Sequence, residues 1–155
     1  MKEPLKAYKT EDGNYYLEGK AIIFKSPDNN GRIIKRKEVK EQVKRLQTKI
    51  DRGMLCGELG QPIAFDITMN KVSHIIEKID LLKDSMYIKI KILDTPRGID
   101  VKKFIDDDVP LYSLYRMAGI VEEGNIVKIK KLFTFDISPN LSGEFPLPIT
   151  ETKND

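Results

Sequence analysis

The sequence has little of the chemistry from which metal sites and cofactor sites are usually built. It contains one cysteine and one histidine among 155 residues, so an internal disulfide is excluded and no Cys/His set with metal-ligand spacing is present. No glycine-rich loop of the phosphate-binding kind occurs. We therefore predict neither a metal nor a cofactor, and the lone Cys56 suits a reducing cytoplasm.

Long apolar runs and a dominant charge are also missing. No stretch of about 18 apolar residues occurs, so no membrane-spanning helix is predicted. Residues 1–6 (MKEPLK) lack the apolar core of a signal peptide. The 27 basic and 24 acidic residues give a net charge of +3, which does not by itself indicate a nucleic-acid partner.

The remaining composition is typical of one globular domain followed by an arm. Hydrophobic residues make up 40% of the chain and charged residues 33%, and this length is sufficient for a sizeable core. We place the domain at residues 1–137. Residues 138–155 include four Pro or Gly residues and are interpreted as an extended C-terminal arm that docks on a neighbouring subunit.

Residue periodicity predicts a protein rich in strands. The clearest strand is 86–93, in which apolar side chains alternate with polar ones. Other strands are predicted at residues 15–24, 54–59, 72–82, 110–115 and 125–137. The polar face of strand 86–93 indicates that one side of its sheet meets solvent or a partner.

Two helices are predicted between the strands. Residues 38–50 carry an apolar face with helical spacing, and Gly53 follows the end of this helix. A shorter helix is predicted at 100–107, with Asp100 as its N-cap. Together the elements indicate an α+β domain, an antiparallel β-barrel or sheet flanked by helices.

Several short motifs occur in an order that resembles one known family. They are residues 30–34 (NGRII), 56–62 (CGELGQP), 72–74 (VSH), 95–98 (TPRG), 115–119 (YRMAG) and 134–143 (TFDISPNLSG). In this order they resemble the prohead, or capsid maturation, serine proteases of tailed phages. The resemblance implies the fold that these enzymes share with herpesvirus assembly proteases, a β-barrel flanked by helices.

The same resemblance places the catalytic positions on residues that cannot act. The family's first motif has a histidine base where this chain has Gln61. Aligned on Arg116, its two serine positions become Leu114 and Tyr115. An amide takes up no proton at neutral pH and leucine carries no nucleophile. This favours a protein without protease activity, although an active enzyme stays open as an alternative.

That alternative depends on Ser113 and His74, with Arg116 shaping the oxyanion region as it would in an active relative. Ser113 precedes the aligned serine position by one residue, so it should point to the opposite strand face. We interpret Arg116 in this chain as a packing or surface ion-pair residue. Cys56 is interpreted as a buried structural thiol, and the acidic run 106–108 as a solvated helix end.

Three functions follow, in order of preference. The first is a catalytically inactive structural protein of a tailed-phage virion that binds capsid, portal, neck or tail subunits in an oligomeric assembly. It would occur in the virion and, during assembly, in the host cytoplasm. The second is an active maturation protease using Ser113 and His74. The third, a small basic β-barrel that binds nucleic acid, is disfavoured by few aromatics near its lysines: Lys89, Lys91, Lys128, Lys130 and Lys131.

Overall fold

The computed structural model describes residues 2–60 and 64–140. Within these residues there are two α-helices and seven strands, with a short 3-10 turn at Met69–Lys71. In chain order the elements are β1 (Lys6–Lys9), β2 (Tyr15–Ile23), α1 (Arg36–Asp51), β3 (Cys56–Glu58), β4 (Val72–Leu81), β5 (Ser85–Ile92), α2 (Pro96–Asp106), β6 (Tyr112–Glu122) and β7 (Ile126–Ser138). The α+β class is confirmed.

The strands form two antiparallel sheets. Five strands are ordered β1-β2-β5-β4-β3, and β6 pairs with β7 as a separate ribbon. Two isolated bridges, Leu59 with Ile137 and Ile33 with Ile126, link β7 to the rest of the molecule. The sheets do not close into a barrel, so the barrel form of the prediction is wrong.

Side chains of α1 bind the backbone in the middle of β7, at the edge where another strand could otherwise pair. The Glu38 carboxylate accepts the backbone N–H of Ile129 at 2.8 Å, and the Gln42 side-chain oxygen accepts that of Leu132 at 2.9 Å. Arg45 donates to the carbonyl oxygen of Leu132. Polar groups of a helix thus satisfy the strand edge that a barrel would have paired with another strand.

The core lies between α1 and the inner faces of the sheets. Val39, Leu46 and Ile50 of α1 are buried, as the helical spacing predicted, and β5 buries every second residue from Met86 to Ile92. Each such side chain contributes about 1.5–3 kcal/mol when it is fully removed from water. This burial holds β4 and β5 in the place where the candidate site is built.

Several predicted boundaries need correction. Helix α2 begins at Pro96 and not at Asp100, because Thr95 caps it by accepting the N–H of Gly98 at 3.0 Å. A Thr-Pro pair is itself a helix-start signal, with proline tolerated in the first turn. Strand β6 begins at Tyr112 and runs to Glu122, well past the predicted 110–115. Strand β1 was not predicted.

Candidate functional site

The only histidine is buried in the middle of the molecule with both ring nitrogens occupied. His74 lies on β4, where it pairs with Gly57 of β3. Its Nε2 is 2.8 Å from the carbonyl oxygen of Phe135, and its Nδ1 is 2.7 Å from the hydroxyl oxygen of Ser73. Because a carbonyl only accepts, Nε2 carries the proton, and Nδ1 therefore accepts from Ser73.

This arrangement keeps His74 neutral. The pKa of the His74 imidazole is lowered to about 4, chiefly by burial. The hydrogen bond that Nε2 donates to the Phe135 carbonyl opposes this shift, and the nearby Arg116 charge adds to it. Ser73 and His74 are both fully buried, so the short Ser73–His74 contact lies where no peptide bond reaches it. The pair ties β4 to β7 and offers no exposed base.

We expect the stability of the protein to depend on pH through His74. The folded-state pKa is depressed below the ordinary value of 6.5, so the unfolded chain binds the proton more tightly. The stabilisation is complete above about pH 6.5 and is lost as the pH falls toward about 4, with roughly 2 kcal/mol lost between pH 7 and pH 5.

Urea unfolding at pH 7, 6 and 5 measures this loss. The His74→Gln variant lacks the titrating group and serves as the control. If the wild-type protein and this variant show the same pH dependence, the depressed pKa is not the cause.

The positions aligned with the family's serines face in two directions. Leu114 is opposite Asp136 across the β6–β7 ribbon, and Arg116 is opposite Thr134. Ser113 and Tyr115 alternate with them and occupy the other face. Ser113 is fully buried, and within the part of the chain that the structure describes its hydroxyl has no hydrogen-bond partner. The structure does not bring Ser113 and His74 into a nucleophile–base pair.

The Leu114 face holds a buried cluster of charges. The guanidinium of Arg116 makes two parallel hydrogen bonds to Asp136, at 2.9 Å from Nε and 2.7 Å from Nη2. Glu58 lies 3.5 Å from the same Nη2, and its backbone N–H donates to Asp136 at 2.9 Å. Burial raises the pKa of the Asp136 carboxyl, while Arg116 and the Glu58 N–H oppose that shift.

Arg116 also fixes the segment that follows β3. Its Nη1 donates to the carbonyl oxygens of Ala64 and Asp66 at 3.3 and 3.0 Å, and Glu58 accepts the N–H of Thr68 at 2.7 Å. Gln61, the position of the family's base, lies outside the described residues. Arg116 was predicted to have a packing role or a role in a surface ion pair. It is fully buried, so the surface part of that prediction is wrong.

Sequence reasoning missed Asp136 and Glu58 as the partners of Arg116. A signal for Asp136 was available, because it is a lone acid within the apolar stretch 132–137 (LFTFDI). A carboxylate inside a buried strand requires a cation or several donors. Which cation it meets depends on the register of β6 against β7, and that register is not visible in the sequence.

The other singled-out residues lie away from this cluster. Cys56 is half-buried, and burial raises the pKa of its thiol. Asp106 ends α2 on the surface, bound to Lys9 at 2.7 Å and to the Tyr15 hydroxyl at 2.9 Å. Across residues 2–60 and 64–140 no group of three or more His, Cys, Asp or Glu side chains is placed to hold a metal.

The described part of the chain also contains no helix that is both long and apolar enough to span a membrane.

The lysines of the nucleic-acid hypothesis are divided between the two sheets. Lys89 and Lys91 lie on β5, whereas Lys128, Lys130 and Lys131 lie on β7. The fold therefore does not gather these five charges on a single sheet.

The chain has the fold of a phage prohead protease. Its structure is similar to that of the capsid assembly protease gp21 of bacteriophage T4, with a TM-score of 0.76 and 17% sequence identity, over 88% of this chain and 92% of that one. No protein-family model and no curated protein sequence matches the chain. At this identity the likeness establishes the fold, and the chemistry must be argued from the residues of the site.

Proposed function

We propose that this protein is a non-enzymatic structural component of a tailed-phage particle, built on the prohead-protease fold. The observation that carries the proposal is the burial of His74, whose two ring nitrogens are already bonded to the Ser73 hydroxyl and the Phe135 carbonyl oxygen. A serine protease of this type needs an imidazole that takes the proton of an attacking hydroxyl. Loss of one such group costs on the order of a millionfold in turnover.

The Leu114 face supports the same proposal. On β6 this face carries Leu114 and the guanidinium of Arg116, which is committed to Asp136. Leu114 therefore offers no hydroxyl at the first of the two aligned serine positions. Arg116 uses its donors on a carboxylate and on backbone carbonyls, so it is engaged in holding the segment 64–66. Arg116, which would help to shape the oxyanion region in an active relative, stabilises the fold here.

The experiment is labelling with a fluorophosphonate probe, together with incubation of the protein with phage scaffold and capsid proteins. We expect no labelling and no cleavage. The variant Ser113→Ala should be folded and about 1 kcal/mol more stable than the wild-type protein, because it removes a buried hydroxyl that has no hydrogen-bond partner among the described residues. Labelling at Ser113 that disappears in Ser113→Ala and in His74→Ala would instead establish the active-protease alternative.

We infer that the outward face of β1, β2 and β5 is the surface that meets the other particle proteins. Tyr8 and Tyr16 stack with their ring centroids 5.2 Å apart, and the Lys89 ammonium lies 4.9 Å from the Tyr16 centroid. Tyr87 donates to Glu18 at 3.2 Å on the same face. Half-buried tyrosines among charges are typical of protein interfaces.

The expected partners are capsid, portal, neck or tail subunits, in the virion and in the host cytoplasm during assembly. Tyr16→Ser should lower incorporation of the protein into particles, because it removes the ring that stacks on Tyr8 and that the Lys89 ammonium contacts. Incorporation is measured by immunoblotting purified virions. Lys44→Ser on the exposed side of α1 serves as the control, and equal incorporation of both variants would exclude this face.

A further inference from the structure

The positive charge of this chain is concentrated in one segment. Residues 35–52, which are α1 and its two capping residues, include eight basic and three acidic residues, against 27 and 24 in the whole chain. This segment therefore carries more than the net charge of +3, and the rest of the chain is net negative. Such a concentration of one sign attracts anions to the surface that bears it.

The tertiary structure adds the lysines of β7 to this segment. Glu38 and Gln42 accept backbone N–H groups of β7 and hold α1 alongside the middle of that strand. Residues 128, 130 and 131 of β7 are exposed lysines next to these contacts. The predicted C-terminal arm beyond residue 140 lies outside the described residues and is not part of the patch. The exposed cations form what we call the α1–β7 basic surface: Lys37, Lys40, Lys49, Arg52, Lys128, Lys130 and Lys131.

The acidic residues of α1 do not neutralise this surface, because each already has a partner. Glu38 accepts from the backbone of β7 at 2.8 Å, and Asp51 accepts from a glutamine one turn earlier in α1 at 2.7 Å. Glu41 pairs with Lys44 at 3.6 Å, and for that reason Lys44 is not counted in the surface. Within the described part of the chain no carboxylate forms an ion pair with the cations of the α1–β7 basic surface.

The residue types on this surface select the ligand. The exposed positions of α1 are all polar or charged, and α1 has no aromatic residue. Protein interfaces and membrane-binding helices need apolar or aromatic anchors, and single-stranded nucleic acid needs open rings on which its bases stack. The Phe133 ring, which the Lys131 ammonium approaches to 5.1 Å, is already stacked on Phe65 at 4.8 Å. Cations without such anchors suit the phosphates of a nucleic-acid duplex, because contacts to its backbone need only charge.

We propose that the α1–β7 basic surface binds the phosphate backbone of double-stranded DNA without regard to base sequence. Helix α1 is about 24 Å long, and a duplex presents about one negative charge per 1.7 Å of its axis, so cations along the whole helix can contact phosphates together. Because α1 packs on the inner side of the five-stranded sheet, this surface and the outward face of β1, β2 and β5 lie on opposite sides of that sheet. The inference therefore does not depend on what the outward face binds, nor on whether the protein is an enzyme.

The test measures binding of the full chain to a fluorescent duplex of about 30 base pairs by anisotropy, at salt concentrations from about 50 to about 200 mM. We expect a dissociation constant of about 1–100 µM near 0.1 M salt. The variant Lys40→Gln/Lys128→Gln/Lys130→Gln should bind at least about tenfold more weakly there. It should also lower the slope of log affinity against log salt by up to about 2.7, since each lost phosphate contact removes about 0.9.

The matched control removes the same charge from the outward sheet face. Lys6→Gln/Lys20→Gln/Lys91→Gln has the same net charge, and its affinity for the duplex should stay within about twofold of the wild-type value. Circular dichroism checks that both variants are folded. Equal losses in the two variants would show that overall charge attracts the DNA, and would overturn the proposal. Tighter binding to single-stranded DNA, equally tight binding to poly-glutamate, or no binding to the duplex at the lowest salt would overturn it as well.

Discussion

Replacing Arg116 with methionine should be among the most damaging single changes in this protein. We expect a loss of about 3–5 kcal/mol in the free energy of unfolding. Asp136 and Glu58 would remain buried side by side without their cation, and desolvated carboxylates without a partner are strongly unfavourable. The carbonyl oxygens of Ala64 and Asp66 would lose their donor as well.

Urea denaturation followed by circular dichroism measures this change, and hydrogen exchange across residues 64–68 reports the release of the segment. Arg97→Met is the matched control, since Arg97 and Asp100 form an exposed pair within α2 whose removal should cost less than about 0.5 kcal/mol. The double variant Arg116→Met/Asp136→Leu should recover part of the loss, because it removes an orphaned charge. A loss for Arg116→Met no larger than for Arg97→Met would contradict this account.

Gly57→Ala should be the second most damaging change. A Cβ atom at this position would lie 2.2 Å from both His74 Nε2 and the Phe135 carbonyl oxygen, so it would enter the hydrogen bond that joins β4 to β7. The strands would have to separate, and the buried imidazole N–H would lose its acceptor. We expect a cost of about 3 kcal/mol or more from overpacking and the unmade hydrogen bond.

Thermal unfolding of Gly57→Ala and Gly19→Ala provides the comparison. Gly19 also lies in a strand, but its added Cβ would meet the end of the Leu5 side chain at 3.1 Å, and that side chain can move. We therefore expect Gly19→Ala to be tolerated. If the two variants unfold at similar temperatures, the close approach of β3, His74 and Phe135 is not what requires glycine at position 57.

Local patterns were sufficient for most elements of the fold. Alternation in 86–93 and helical spacing in 38–50 each reflect burial of one face, and both elements are present as β5 and α1. Boundaries were less accurate where a capping residue decided them. The start of α2 depended on the Thr95 hydroxyl, which accepts the Gly98 N–H and donates to the carbonyl oxygen of Val72.

The candidate site was less visible in the sequence because its members are far apart along the chain. Motif order pointed to residues 56–62, 72–74 and 115–119, and these segments do contribute Glu58, His74 and Arg116. The pairing of Arg116 with Asp136 was not predicted. It follows from the register of the β6–β7 ribbon, which places Leu114 opposite Asp136 and includes an irregularity after Arg116.

The sequence by itself determined the α+β class, the residue types at the aligned catalytic positions Leu114 and Tyr115, and the absence of a second histidine. These are properties of composition, periodicity and residue identity, and each can be read without knowing a distant contact. The tertiary structure decided how His74 is bonded, that Arg116 is buried, and that the sheets stay open. Those outcomes depend on strand register and on burial between segments remote in sequence, because a one-residue shift would move each side chain to the opposite face.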